Sequence, residues 1–518
     1  MTYSGTSVRT SSLWLAGHTA RPESGSIPNA EVIVVGAGLT GLVTAVLLAR
    51  GGKRVVVLEA RAPGACTTGN TTGKISLLQG TRLSTIARRQ SAETVRQYVE
   101  GNREGQAWLT QYCAERGVDV QYEDAITYAQ GKSGIPLARA EFDACTAVGL
   151  GVEWMDTLDV PFASHGGVLL AEQAQFDPMP MLDALATELR ERGGRLVTGW
   201  RVHGANATGG RVRLAVRSAE GAEDIAEADQ CVLATGTPVL DRGGYFARLE
   251  PSRSYCVSFR LPEPPPRPMM ISADFPTRSL RYALSGGAEQ LIVGGGGHIV
   301  GRKDSPRQSY ADIIGWTRRH FPGAQPTHQW SAQDYIPIDG LPYVGPLIPG
   351  SDHLYVATGF AKWGMTNGVA AALLLAKRIL GGEPGEWARA FDSWSPHELG
   401  GLSTALKLNL EVGWYLAAGW VTPALHRDGA PVEGDGKVHG PPWHMSACST
   451  VEGVQRCVSP VCTHLGGVLS WNDAEKSWDC PLHGSRFAPD GSVLEGPATR
   501  DLSHGSAASE VFRPTVSG

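Results

Sequence analysis

The 518-residue sequence contains no apolar run long enough to cross a bilayer, so no membrane span is expected. Its first 30 residues offer only one short apolar patch, Leu13 to Ala16, among Ser, Thr, Pro and Gly. They lack the basic start and apolar core of a signal peptide. Neither sign of charge dominates: 46 Lys and Arg stand against 51 Asp and Glu, a net charge of −5. That balance gives no reason to expect nucleic acid or an anionic membrane as partner. Nine cysteines are too few and too scattered for a disulfide framework. The expectation is a cytoplasmic enzyme. Its length is too great for one core, so two or three domains are expected.

What is present begins at residue 32. Val32 to Val35 reads as a buried parallel strand, and Gly36, Gly38 and Gly41 follow in G-x-G-x-x-G spacing. A helix then runs to Gly51-Gly52, and a second strand, Arg54 to Leu58, ends in Glu59. Strand, glycines, helix, strand and acid in this register read as a dinucleotide-binding unit. Gly36 makes the turn, Gly38 admits a pyrophosphate to the backbone, and Gly41 lets helix and strand pack closely. The N–H groups at the helix start, Leu39 and Thr40 among them, would meet the phosphates. Glu59 is placed to take a ribose hydroxyl pair.

Two later segments bear on which dinucleotide. Residues 231–236, CVLATG, form a strand ending in Thr235-Gly236. Residues 355–368, YVATGFAKWGMTNG, are a strand, a glycine turn and a helix start. This set resembles FAD enzymes of the D-amino-acid oxidase and glycine/sarcosine oxidase superfamily, over roughly residues 31 to 395. The resemblance implies noncovalent FAD, because the flavin-linking cysteine of those enzymes is missing from residues 320–350. It implies an α/β, Rossmann-type FAD-binding domain interleaved with an antiparallel-sheet substrate domain. Ala60, Arg61, Thr71, Thr72 and Lys74 would lie on the loop that wraps the pyrophosphate and passes the ring, with Cys66 a small filler residue. Val202 would meet the adenine through its backbone. Thr235 and Gly236 would close over the adenosine half. Gly359, Phe360, Gly364, Met365 and Thr366 would face the flavin ring.

Residues 84–116, 138–148 and 180–192 read as helices, and residues 197–202 as a strand. Strands at 278–284 and 291–298 and a helix at 310–320 would supply the substrate-binding sheet. Lys74, Arg281, His298, Gln333 and Lys362 are the candidate catalytic residues, with Arg278 and Asp339 nearby. The lysine that promotes reaction of reduced flavin with oxygen in sarcosine oxidases is replaced by Ile292 or Val293, which weakens the case for an oxidase.

The C-terminal part carries a second motif. Cys462 and His464 form C-x-H, and Cys480 and His483 form C-x-x-H after a hairpin. Two thiolates and two imidazoles would suit tetrahedral zinc. However, CTHLG followed by CPLHGS closely resembles Rieske proteins, over about residues 430–505. There two cysteines hold one iron of a [2Fe-2S] cluster and two histidines the other. Small all-β architecture is implied for this part. Rieske proteins of cytochrome bc complexes add a disulfide between the cluster loops. Gly467 and Leu482 stand at those positions, which suits a reducing compartment. Ser485 keeps the hydroxyl that bonds cluster sulfur, whereas Phe487 replaces a tyrosine. The loss of that donor should lower the potential within the Rieske range of about −150 to +300 mV.

The expected domains are an extension (1–30), the FAD oxidoreductase (31–395), a helical linker (396–430), packed on the flavin domain or serving as an oligomer contact, and the Rieske domain (431–518). The expected function is oxidation of a C–N bond of an amine or amino acid, with electrons passed from FAD to the cluster and on to an external acceptor. Two alternatives stay open: an external donor feeding the flavin through the cluster for a reduction or oxygenation, and an electron-transfer module without a small-molecule substrate.

Overall fold

The computed structural model describes residues 8–19, 23, 25–421 and 429–504. The chain divides into two compact units: the first comprises residues up to 297 and 309–405, the second 298–308 and 406 onward.

The first unit contains a six-stranded sheet in the spatial order Tyr343–Pro346, Leu354–Thr358, Gln230–Leu233, Val32–Val35, Val55–Glu59, Arg195–Thr198. All neighbours in it are parallel except the Tyr343–Pro346 edge. Val32 to Val35 are all buried because helices and strands cover both faces, which is why the run lacks alternation. Helix Leu39–Arg50 follows the glycine turn, and helix Gly364–Ile379 packs beside it so closely that a Cβ on Gly368 would meet Thr40 Oγ1. A three-stranded antiparallel sheet carries strand Trp200–Thr208 at its edge. A ten-stranded, mainly antiparallel sheet is built from strands that include Leu249–Arg260, Arg278–Ser285, Ala288–Ile299 and Gln325–Pro337. The described part of the N-terminal extension belongs to this unit. Arg9–Thr10 adds an edge strand beside His328 and Gln329, and Leu13 and Trp14 are buried.

Three sequence expectations need correction. The helix expected over 84–116 is two, Arg82–Ala87 and Ala92–Arg116, the second starting where the Ser91 hydroxyl accepts the Thr94 N–H. The strand expected over 197–202 is broken at Gly199, whose φ of 82° turns the chain into a different sheet. The expected helical linker is built largely of helix Leu402–Val421. From Leu406 it groups with the second unit, where Val412, Tyr415, Leu416 and Trp420 pack on the core while Trp414 is exposed. Part of the expected linker, residues 422–428, lies outside the described residues.

Among its described residues the second unit is small and mainly β apart from that helix. A three-stranded sheet (Gly436–His439, Ser446–Val451, Val454–Val458) and a four-stranded sheet (Ser470–Asn472, Ser477–Asp479, Arg486–Phe487, Val493–Glu495) enclose Leu469, Trp478 and Phe487. Cys448 and Cys457, opposite one another on neighbouring strands, form a disulfide, which the sequence did not lead us to expect.

Candidate active site and metal centre

The glycine turn separates packing from binding. Gly36 has φ 105°, and a Cβ there would strike the Ala234 carbonyl; a Cβ on Gly41 would strike the Gly36 carbonyl. The fold alone demands both. A Cβ on Gly38 would meet only Thr68 Oγ1, at 3.2 Å, so Gly38 borders open room at the helix start. The Leu39 N–H donates to the same hydroxyl at 3.2 Å, with Thr40 buried behind it. Glu59, followed by Ala60, accepts from the Ala37 and Arg61 N–H groups, each at 2.8 Å. Glycine-lined room, helix-start N–H groups and a carboxylate fit a dinucleotide. Thr235 Oγ1 donates to the Thr237 carbonyl, and Gly236, with φ 79°, accepts from Thr358 Oγ1 at 2.6 Å. Val202 is buried opposite Val216.

The loop after Glu59 is held from three sides. Trp14 Nε1 donates to the Thr71 carbonyl at 2.7 Å, and Ser12 Oγ to that of Gly69. Arg281 donates to the Thr72 and Phe176 carbonyls at 2.6 and 3.1 Å. Thr67 Oγ1 reaches the Gln333 carbonyl at 2.7 Å. Arg281, expected to orient substrate, is thus a fully buried loop anchor; burial lowers its pKa to about 9. Lys74 is buried beside it, donating to the Met270 carbonyl and Ser279 Oγ at 2.8 Å each. Burial, followed by the Arg281 charge, lowers its ammonium to about 7.

Polar side chains lie on both faces of the paired strands Leu249–Arg260 and Gln325–Pro337, beside the segment that leads into helix Gly364–Ile379. Arg253 is buried and donates to Gln333 Oε1 at 2.8 Å and to Ser331 Oγ, while Gln333 Nε2 donates to the Tyr335 hydroxyl at 2.9 Å. Lys362, left-handed at φ 73°, donates its N–H to Asp334 and its Nζ to Ser254 Oγ at 2.8 Å. Its surface is open but protein surrounds it on most sides, and that desolvation lowers its pKa. Gly359, with φ 80°, packs on Pro337, and Phe360 is half-buried. Met365 and Thr366 are buried, and Thr366 Oγ1 is bonded to Asn102 and Gln79. Side chains alternate along a strand, so Gln333, bonded to Arg253 and Tyr335, lies on the opposite face of this strand pair from Ser254 and Asp334, which hold Lys362. Lys362 and Lys74 both lie near the Cys256 thiol, and Lys74 also adjoins Arg281. His298 belongs to the second unit, its Nδ1 2.8 Å from the Ile299 carbonyl. Arg278 is buried, donating to the Thr277 carbonyl. Asp339 is consumed in a buried pair with His397 at 2.8 Å. Sequence reading missed Thr68, Arg253, Ser254 and Tyr335. The available signal for Arg253 was a charge inside an otherwise strand-like run.

In the second unit Cys462 and Cys480 are buried side by side, and the His464 and His483 rings lie 5.1 Å apart. The Cys480 thiol, then the His464 N–H, the Ser485 hydroxyl and the Leu465 N–H draw the Cys462 pKa down to about 7 against burial; that of Cys480 rises. Burial, then His464 and Arg302, push His483 down to about 3, which keeps it a neutral ligand. Among the described residues no three His, Cys, Asp or Glu side chains gather as one metal ion requires. A two-iron cluster instead divides its donors, two thiolates and two imidazoles, between separate irons. A Cβ on Gly467 would overlap the Leu482 side chain, so leucine packing fills the place of a bridge between the cluster loops.

Comparison with known proteins identifies the family of each part of the chain. Residues 31–378 match the family described as FAD dependent oxidoreductase, and residues 434–506 match the Rieske [2Fe-2S] domain. A Bacillus subtilis (strain 168) protein named for a Rieske 2Fe-2S iron-sulfur centre, YhfW, is 29% identical over 484 residues, 91% of this chain and 92% of its own. Among solved structures, glycine oxidase from Geobacillus kaustophilus superposes with a TM-score of 0.59 at 17% identity, covering 71% of this chain and 98% of that one. L-amino acid deaminase from Proteus vulgaris gives 0.57 at 14% identity, covering 73% and 100%. At these identities the two superpositions speak for the fold. No described helix is long and apolar enough to cross a membrane.

Proposed function

The chain belongs to the FAD dependent oxidoreductase family and carries a Rieske [2Fe-2S] domain, and on that basis we propose that it oxidises a C–N bond of an amine or amino acid, with electrons leaving through FAD and then the cluster to an external acceptor. It is an FAD- and [2Fe-2S]-dependent oxidoreductase of amino-acid oxidase type. FAD supplies an acceptor for both two-electron and one-electron steps, and the cluster supplies a one-electron carrier.

The observation that carries the reading is one chain that joins an amino-acid-oxidase-like fold to a cluster site with four protein ligands. Those ligands leave no open position for substrate, so the cluster site acts as a relay. The names of the superposed enzymes, a glycine oxidase and an L-amino acid deaminase, favour an amino acid or amine as substrate.

Gly36, Gly38, Leu39, Thr40, Gly41, Glu59, Ala60, Arg61, Thr71, Thr72, Val202, Thr235, Gly236, Gly359, Phe360, Gly364, Met365 and Thr366 are assigned to noncovalent FAD. Lys362, held by Ser254 and Asp334, is assigned to the substrate face, whereas Gln333, fixed by Arg253 on the other side of the strand pair, is not. With its pKa lowered, Lys362 is suited to exchange a proton with the substrate amine, which must be neutral to be oxidised. Lys74 and Arg281 hold the flavin loop instead.

The test is an anaerobic screen of amines and amino acids for bleaching of the flavin absorbance. Bleaching by one compound class names the substrate. A protein with full FAD that no C–N substrate bleaches, yet whose flavin is reduced through the cluster by a one-electron donor, contradicts the proposed direction.

A further inference from the structure

The second unit contains a segment outside the Rieske domain match at residues 434–506. Residues 298–308 lie more than a hundred positions before the first cluster ligand, yet they cluster with the C-terminal domain. Gly301, at φ 70°, lies so close to the Cys480-Pro481 backbone that a Cβ would come within 2.7 to 2.9 Å of it. The absence of a side chain allows the next residue, Arg302, to reach the ligand loop. Arg302 Nε donates to the Pro481 carbonyl at 3.0 Å, between the ligands Cys480 and His483. Its NH1 pairs with Glu411 at 3.0 Å, and its guanidinium lies over the Tyr415 ring at 4.4 Å. The side chain is only 6% exposed, and its NH2 is buried without a hydrogen-bond partner in the structure. Ser305 and Arg307 anchor the segment further, donating to the Asp473 carboxylate at 2.8 Å each.

The buried guanidinium is balanced by Glu411, which is 39% exposed, and keeps one donor unused against the cluster-ligand loop, so its charge is placed to act on charge that appears there. A Rieske cluster with two thiolates and two neutral imidazoles carries no net charge when oxidised and one negative charge when reduced. We propose that Arg302 is a positioning and potential-setting residue for the iron–sulfur cluster: it fixes the Pro481 carbonyl and stabilises the reduced cluster by its charge, raising the reduction potential. It opposes the lowering expected from Phe487. The segment thus completes the electrostatic surroundings of a site whose ligands all lie elsewhere in sequence. Net charge, hydrogen bonding and burial are the levers by which proteins set such potentials.

The experiment is a redox titration of the cluster in the full-length holoprotein, followed by electron paramagnetic resonance. Three variants are compared at equal iron and sulfide content. Arg302→Gln should shift the midpoint potential negative. Arg302→Lys, which keeps the charge, should recover most of the shift. Glu411→Gln leaves Arg302 in place but removes its counter-charge, and should shift the potential positive. An unchanged potential in Arg302→Gln with a full cluster overturns the proposal, as does a negative shift in Glu411→Gln. If Arg302→Gln loses its cluster, Glu411→Gln decides alone, and no positive shift there rejects the charge effect. A wild-type protein without a two-iron cluster would instead overturn the Rieske assignment itself.

Discussion

Gly38 and Gly41 are both glycines of one fingerprint, yet they answer to different constraints. The Gly41 Cα has the Gly36 carbonyl against it, so any side chain disturbs the turn itself. Gly38 faces room beside Thr68 Oγ1. Gly38→Val should therefore fold but bind almost no FAD, whereas Gly41→Val should lose both FAD and stability. Flavin content and urea midpoint of the two purified variants check this. Full flavin in Gly38→Val would show that the pyrophosphate lies elsewhere. The same contrast explains what the sequence could disclose about the site. Glycine spacing and a terminal acid are local signals, and the turn they describe is present. Arg281 has no such signal. Its partners are carbonyls of Thr72 and Phe176, more than a hundred residues away, so only the folded chain distinguishes a loop anchor from a substrate ligand.

Helices Arg82–Ala87 and Ala92–Arg116 show the limit of pattern at the next level. Arg88, Arg89 and Gln90 are competent helix formers, and only the cap at Ser91 marks the break. The first helix is held from outside. Glu141, wholly buried on helix Ile135–Ala147, accepts the Leu83 and Ser84 N–H groups at 3.0 and 2.8 Å. Burial outweighs these bonds and raises its carboxyl pKa to about 7. Between its unfolded value of 4.5 and 7 the folded chain then holds more protons than the unfolded one. Stability from this group is full at low pH and falls as pH rises, by at most about 1.4 kcal/mol per pH unit. Glu141→Gln lacks that slope and leaves one N–H unbonded, a cost of about 1–3 kcal/mol. Its deficit relative to wild type should be larger at pH 5 than at pH 7.5 in urea unfolding. A deficit that is constant or grows with pH would mean that the carboxylate is charged throughout. Strand existence was more legible than strand continuity: Val32–Val35 and Leu354–Thr358 stand out as apolar runs, but the left-handed Gly199 divides 197–202 between two sheets.

The whole molecule joins a flavin fold to a cluster domain, and each module carries its own sequence signature. Purified protein should hold about one acid-releasable FAD and one two-iron cluster per chain, by absorbance and by iron and sulfide analysis. Zinc in place of iron and sulfide would contradict the second assignment. The sequence signatures did not show that residues 298–308 belong with the cluster domain, because the contacts of Arg302 and Arg307 are made across more than a hundred residues. Nor did they show the Cys448–Cys457 disulfide, since cross-strand pairing depends on register.

The proposed path from substrate through flavin to cluster is tested most directly by replacing one cluster ligand and following single turnovers. In stopped-flow absorbance, His483→Ala with full FAD should still be bleached by the substrate under nitrogen. Steady-state transfer to a one-electron acceptor that draws from the cluster should collapse. Loss of bleaching in a folded variant that retains FAD would place the cluster upstream of the flavin and contradict the account. Survival of both bleaching and turnover would equally contradict it, by removing the cluster from the path.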